Sequence, residues 1–298
     1  MNKIGRFIDF IQDFRRENGF PRVANYEITA RCNMSCTHCY WRKTVSSCEQ
    51  LSDEKWKNVF LSHRSRGVSF AFLTGGEPSL RQDVIDMAYK IFPGLAIASN
   101  GLIKIPERID RRLFISLDGP RQVHNAIRGS DVFDRVLENV KGDRRVILSP
   151  TLSTTNFRHI DEMLDITKQA GVEGITFSLY TSHTQDEDPL LLQGETLDWT
   201  VRKLRSTWRR HRDILFLTPR IIQILKDKFH ADKCFFKGRN IASFDAAMNR
   251  KRPCVLGEGV NCQTCGCIVP VVSYALRTAS VRSWFMLNRM FPVKYFRH

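Results

Sequence analysis

No stretch of this 298-residue chain is apolar for long enough to cross a bilayer, which takes about 20 residues. Met1 to Arg15 mixes charged with apolar side chains and lacks the unbroken apolar core of a secretory signal. Internal repeats and low-complexity tracts are missing as well. The expectation is a folded cytoplasmic protein without a membrane span. Acidic residues are also scarce: 31 Asp and Glu face 46 Lys and Arg, a net charge of +15. Between Thr200 and Arg252 fifteen basic residues face four Asp, and from Gly259 to His298 there is no acid at all. Such an excess implies an acidic partner (nucleic acid, an anionic membrane surface or an anionic substrate), with a solvated basic face as the plainer reading. No appended nucleic-acid-binding module is visible, so DNA is not an expected partner.

The composition is otherwise that of an ordinary globular protein, 42% hydrophobic and 26% charged. Short apolar runs at Val23–Thr29, Ser69–Thr74, Leu95–Ser99, Leu113–Leu117, Val146–Leu152 and Gly174–Tyr180 read as strands. Helical patterns fall between them at Asp53–His63, Arg81–Phe92, Phe133–Lys141 and Ile160–Ala170. Ser52 and Asn156 stand where N-caps belong, and Gly171 where a helix C-terminus needs a left-handed residue. Six strands joined by helical crossovers predict an α/β fold, a partial (β/α)6 TIM-like barrel with a C-terminal Cys-rich extension. The expected parts are a lead-in (1–22), a core barrel (23–185) and an extension (186–298). Thr196–Arg212 and Pro219–Phe229 read as helices of that extension. In such barrels functional residues gather after the strands.

Nine cysteines fall mainly into two groups. Without a secretory signal, clustered cysteines point to metal or redox chemistry rather than disulfides. Cys32, Cys36 and Cys39 follow the first strand with the spacing Cys-x3-Cys-x2-Cys. Three thiolates can hold three irons of a cubane and leave the fourth iron open to a small molecule. A zinc site completed by His38 is the competing reading. Thr74-Gly75-Gly76-Glu77-Pro78 follows the second strand, Ser99-Asn100-Gly101 ends the third, and Ser116-Leu117-Asp118-Gly119 ends the fourth, with His124 and Arg128 beyond it. Paired glycines let a backbone approach a ligand closely, and a carboxylate can accept from an ammonium. For His124 a structural hydrogen bond is the favoured role. Thr151, Ser153, Thr154 and Tyr180 form a weaker polar rim.

The cysteine triad followed by Gly-Gly-Glu-Pro resembles the radical S-adenosylmethionine (SAM) superfamily, over roughly residues 23–181. The resemblance implies that Cys32, Cys36 and Cys39 ligate a [4Fe-4S] cluster whose fourth iron binds SAM. One-electron reduction, from a donor such as ferredoxin or flavodoxin, would then release a 5′-deoxyadenosyl radical that abstracts hydrogen or adds to an unsaturated bond. It also implies that Gly75, Gly76, Glu77 and Pro78 hold the SAM amino group. Ser99, Asn100, Ser116 and Asp118 would contact SAM, Arg128 would fork its carboxylate, and His38 would lie against the adenine. The run from Ser116 to Gly129 resembles members that modify peptides and other large substrates.

Cys254, Cys262, Cys265 and Cys267 form the second group, with Cys234 as an extra candidate ligand and Cys48 as a spare thiol near the triad. An auxiliary iron–sulfur cluster, as in SPASM or twitch extensions, and structural zinc both fit. Val132–Val136, Gly171–Thr176 and Arg252–Gly259 resemble adenosylhopane synthase-like members, which implies a lipid or isoprenoid substrate. The tail carries Val271, Val272, Tyr274, Leu276, Trp284, Phe285, Met286, Leu287, Phe291, Tyr295 and Phe296 among basic residues. It reads either as a membrane-surface element or as a helix docked on the barrel. The functional expectation is a radical SAM enzyme acting on a lipid-like or other large substrate, peripheral to a membrane. Alternatives are a peptide (RiPP)-modifying enzyme, an RNA-modifying enzyme, and a non-catalytic zinc-stabilised binding protein.

Overall fold

The computed structural model describes residues 20–44, 50–228, 231, 234–237, 241–278 and 280–292. Cys48, Phe229, Tyr295, Phe296 and most of the lead-in lie outside the described residues. The core is a parallel sheet in which β1 (Val23–Glu27), β2 (Phe70–Thr74), β3 (Gly94–Ser99), β4 (Arg112–Ile115), β5 (Val146–Leu148) and β7 (Gly174–Ile175) lie side by side in chain order. A short pair, β6 (Thr151–Leu152) with β8 (Ser178–Leu179), prolongs the last two. All six expected strands are present, but the fifth and sixth are each broken in two. Pro150 has no N–H to give the ladder, so the fifth strand is interrupted there.

Helices α1 (Tyr40–Thr44), α2 (Asp53–Ser65), α3 (Gln82–Ile91), α4 (Arg121–Arg128), α5 (Phe133–Val140) and α6 (Ile160–Ala170) cover the sheet. Ser52 caps α2 by accepting from the Lys55 N–H, and Asp53 and Glu54 sit favourably in its first turn. Gly171 ends α6 at φ 65°, as its position predicts. Asn156 is no side-chain cap: its Oδ1 accepts from Ser153 N, and its Nδ2 donates to the Asp118 and Thr151 carbonyls. It is a core link that ties the ends of the fourth and fifth strands together.

Tyr26 shows how β1 sorts its faces. Its ring packs against Trp56, Phe60 and Phe92 on the helical side. Strand periodicity then turns Asn25 and Glu27 to the barrel interior. There Asn25 bonds Thr74 and Glu27 pairs with Lys251 at 2.5 Å.

The residues beyond 185 are built into the barrel. They form α7 (Gly194–His211), α8 (Pro219–Asp227), β9 (Ile241–Phe244), α9 (Ile268–Arg277) and α10 (Val281–Met290). β9 adds to the sheet parallel to β1, and Leu215 bridges to Ile175 at the opposite side. β1 is thereby no longer an open edge, and β7 is bridged on its outer side. The tail is a packing element rather than a detached membrane-surface helix. Val271, Val272, Ala275, Met286 and Met290 are buried, and Phe291 packs its ring against Phe70 and Phe114. Arg112, at the start of β4, donates from Nε to the Met290 carbonyl at 2.6 Å. Because Phe70 and Arg112 open their strands, the tail closes the barrel end opposite the cysteine triad. Val281 and Phe285 stay exposed on α10. Among the described residues no helix is long and apolar enough to cross a membrane.

Candidate active site

The loop after β1 carries the three cysteines and is seated on the barrel mouth by backbone hydrogen bonds. Gly76 N donates to Thr29 O, and Glu77 N to Arg31 O. A Cβ on Gly75 would stand 2.6 Å from Thr29 O, and one on Gly76 would stand 2.1 Å from Arg31 O. The glycine pair is therefore needed for the approach of one loop backbone to another, whatever else it touches. On the far side, Thr37 N donates to Ile127 O at the end of α4, and Gly129 follows in the left-handed conformation.

Glu77 is buried and fully engaged within the protein. Its Oε1 accepts from Ser79 N and Ser99 Oγ, and its Oε2 from Asn100 N. Asn100 Nδ2 in turn donates to Asn33 Oδ1, inside the cysteine loop. The Gly-Gly-Glu-Pro turn and the Ser-Asn-Gly strand end thus form one clasp around that loop. Asn33 and Thr29 were not singled out from sequence; a single Asn in a loop carries no signal of its own.

Arg128 is buried at the end of α4 and joins the triad to the fourth strand. Its Nη2 lies 2.6 Å from Asp118 Oδ2, and its Nη1 lies 3.5 Å from Cys36 Sγ. Its Nε is buried without a partner. Asp118, completely buried, also accepts from Thr151 N, and the Arg128 guanidinium helps hold its carboxyl below the usual range against the cost of burial. His124 has the structural role expected of it: Nδ1 accepts from Asp118 N, so Nε2 carries the proton. Burial, aided by Arg128, pushes its pKa down to about 4. His38 is half-buried within electrostatic reach of Asp118 and Arg128, and burial lowers its pKa too. Ser116 contributes its backbone, donating to Ser99 O. Of the weaker rim, Ser153 bonds Thr155 and Asn156, Thr154 donates to Pro189 O, and Tyr180 donates to Asp188.

The triad fits a [4Fe-4S] cluster by donor chemistry: three thiols in one loop that feel one another's charge, beside a cation that favours thiolate. Burial pushes the Cys32 thiol up to about 11, so metal binding there would displace protons. The open Nε–H of Arg128 suits a carboxylate.

The second group lies at the same mouth. Cys234, Cys254, Cys262, Cys265 and Cys267 line one cavity with Pro253, Leu256 and Val260. Four of these form the group expected from the sequence and Cys234 is the extra candidate; all five face the same void. Gly266 lets the loop approach β8: a Cβ there would meet Leu179 O at 2.4 Å, and Leu179 N donates to Gly266 O. Burial raises the Cys234, Cys265 and Cys267 thiols, and pushes Cys254 up to about 12. Among the described residues no three His, Cys, Asp or Glu side chains converge tightly enough to hold a single metal ion. Tyr40, next to Cys39, bridges the two groups. Its ring stacks on His183, which bonds Leu256 O, and it feels the charges of Cys39, Cys254 and Cys267.

The family model of the radical SAM superfamily matches residues 26–212. This chain belongs to the radical SAM superfamily. Its homologues in that family are enzymes, and the cofactors of the family are a [4Fe-4S] cluster and SAM. Among its relatives is the AdoMet-dependent heme synthase of Methanosarcina barkeri, 31% identical over 51% of this chain and 48% of that protein. Another is the mycofactocin maturase MftC of Mycobacterium tuberculosis, 29% identical over 54% of this chain and 45% of that protein. This radical SAM chain spans about half the length of the curated relatives it matches. The structure of Streptococcus suis SuiB bound to precursor peptide SuiA superposes with a TM-score of 0.63 at 12% identity. That match covers 85% of this chain and 63% of SuiB, and it shows a shared fold. None of these three is a lipid-modifying enzyme by name.

Proposed function

We propose that this radical SAM enzyme modifies a peptide, using one cluster held by Cys32, Cys36 and Cys39 and a second held by the C-terminal cysteines. When bound, the first cluster and SAM supply a 5′-deoxyadenosyl radical by one-electron cleavage. The protein's part is positional. The clasp from Glu77 through Asn100 to Asn33 fixes the loop that presents the three thiolates. Asp118 holds the Arg128 guanidinium against Cys36, leaving Nε–H to receive the SAM carboxylate. His38 offers a flat face for the adenine. Gly75 and Gly76 let the turn after β2 close against the cysteine loop, beside which the SAM amino group would lie.

The observation that carries the peptide reading is the Ser116–Gly129 run. It is the stretch that resembles members modifying peptides and other large substrates, it folds as a strand end plus α4, and its Arg128 reaches the triad. Kinship with MftC, a maturase by name, supports it. For the second site, five thiols line one void and supply the thiolates that a second iron–sulfur cluster would need. A second substrate reading, a carboxylated porphyrin, is favoured by the 31% identity to the heme synthase and suits a chain of charge +15.

The test is anaerobic turnover of the reconstituted enzyme with SAM, flavodoxin and a precursor peptide encoded beside its gene, followed by mass spectrometry. A mass change in the peptide that depends on SAM is the expected result. Peptide left unchanged while an iron-porphyrin or a lipid extract is modified would overturn the peptide reading.

A further inference from the structure

Lys228 ends α8 and stands against the wall of the C-terminal cysteine cavity. Its Nζ donates to the Cys265 carbonyl at 2.9 Å and lies 3.5 Å from the Thr264 carbonyl. Its backbone is left-handed, φ 57°, where a residue other than glycine is disfavoured. Glycine is the usual residue just past a helix end and would relieve that strain, so what the position gains from lysine is the side chain. No carboxylate pairs with this ammonium among the described residues; burial pushes its pKa down to about 8, and the charge of Cys265 works against that fall. No acidic residue lines the cavity. A largely buried ammonium is thus held against the backbone that carries Cys265, with no carboxylate partner among the described residues.

We propose that Lys228 is the counter-charge of the C-terminal site and raises the reduction potential of the cluster bound there. The inference rests on the iron–sulfur reading of that site. A cubane held by four thiolates is already anionic when oxidised, and reduction adds a further negative charge. A fixed cation beside it favours the reduced form, as charge and hydrogen bonding around such clusters generally do. Lys237 also lines the cavity but is exposed, so water screens it.

The experiment uses the full chain carrying Cys32→Ala, Cys36→Ala and Cys39→Ala, so that only the C-terminal cluster titrates. Redox potentiometry followed by electron paramagnetic resonance gives its midpoint. Lys228→Met should lower the reduction equilibrium constant at least tenfold, a fall of about 59 mV for one electron. Lys228→Arg should restore the midpoint, and Lys237→Met should shift it less. A bound cluster with an unchanged midpoint in Lys228→Met overturns this inference alone. Loss of the cluster in both Lys228→Met and Lys228→Gly would make Lys228 a structural post, which also overturns it. Zinc and no iron in the parent chain would overturn the cluster reading itself.

Discussion

The two cysteine sites share a mouth and differ in how they are closed. The triad sits in a loop pinned from both sides, by the β2 turn and by the end of α4, and keeps three partly exposed thiols beside Arg128. The C-terminal site gathers five thiols around one void, with Cys267 at the start of α9 and Lys228 across from it. Three ligands leave an iron open for chemistry, whereas four or more close the coordination and leave electron storage or structure. Both loops nevertheless use one device. A glycine, Gly76 in the turn that faces the triad loop and Gly266 in the C-terminal loop itself, allows a close approach where a Cβ would collide with backbone.

The largest effect should come from the open site. Replacing Cys32, Cys36 and Cys39 by Ala should abolish SAM cleavage, assayed as 5′-deoxyadenosine, while the C-terminal cysteines keep their metal. Residual cleavage in that variant would break the division of labour. Truncation after Cys267 is expected next in size. It removes Val271, Met286, Met290 and Phe291 from the core, each large side chain contributing about 1.5–3 kcal/mol of burial. Thermal denaturation should show a barrel that no longer unfolds cooperatively; a truncated chain of unchanged stability would return the tail to the membrane reading.

The glycine device predicts a matched pair of smaller losses. Gly76→Ala and Gly266→Ala should each destabilise the chain by about 1–3 kcal/mol, the usual cost of overpacking, and each should lower metal content only at its own site. If either mutation empties both sites, the two loops form one unit through Tyr40. The smallest effect is one of pH. His63 and His124 are buried with pKa values lowered to about 4 from 6.5, by burial and by neighbouring arginine. Below pH 6.5 the unfolded chain binds protons that the folded chain refuses. Stability should therefore fall as pH drops from 6.5 towards 4, by up to about 1.4 kcal/mol per unit for each histidine. Denaturant melts of the wild type and of His124→Gln should differ in slope across that window.

Most of the core was legible because its signals are local. Six apolar runs, each followed by polar residues, mark the strands, and Ser52 and Gly171 mark helix ends by chemistry that needs no tertiary context. What escaped depends on partners distant in sequence. β9 is only Ile241–Phe244, set in a basic, Cys-rich stretch, and it exists because β1 has a free edge. The helix Arg121–Arg128 starts after Pro120 with no side-chain cap to announce it. Asn156 looked like a cap because Asn often is one; its partners, Asp118 and Thr151, are brought to it only by the barrel. At the site, the cysteines, Arg128 and the structural part of His124 were readable. The clasp that occupies both oxygens of Glu77 was not, since it joins three separate strand ends.

Counting metal in three forms of the chain tests the two-site account most directly. After anaerobic reconstitution, the wild type should hold about eight irons with matching sulfide, a chain lacking the triad about four, and a chain lacking the five C-terminal cysteines about four. Of the two depleted chains, only the one that keeps the triad should still cleave SAM. A wild type that holds about four irons and one zinc would contradict the second cluster, and iron unchanged by removal of Cys32, Cys36 and Cys39 would contradict the first.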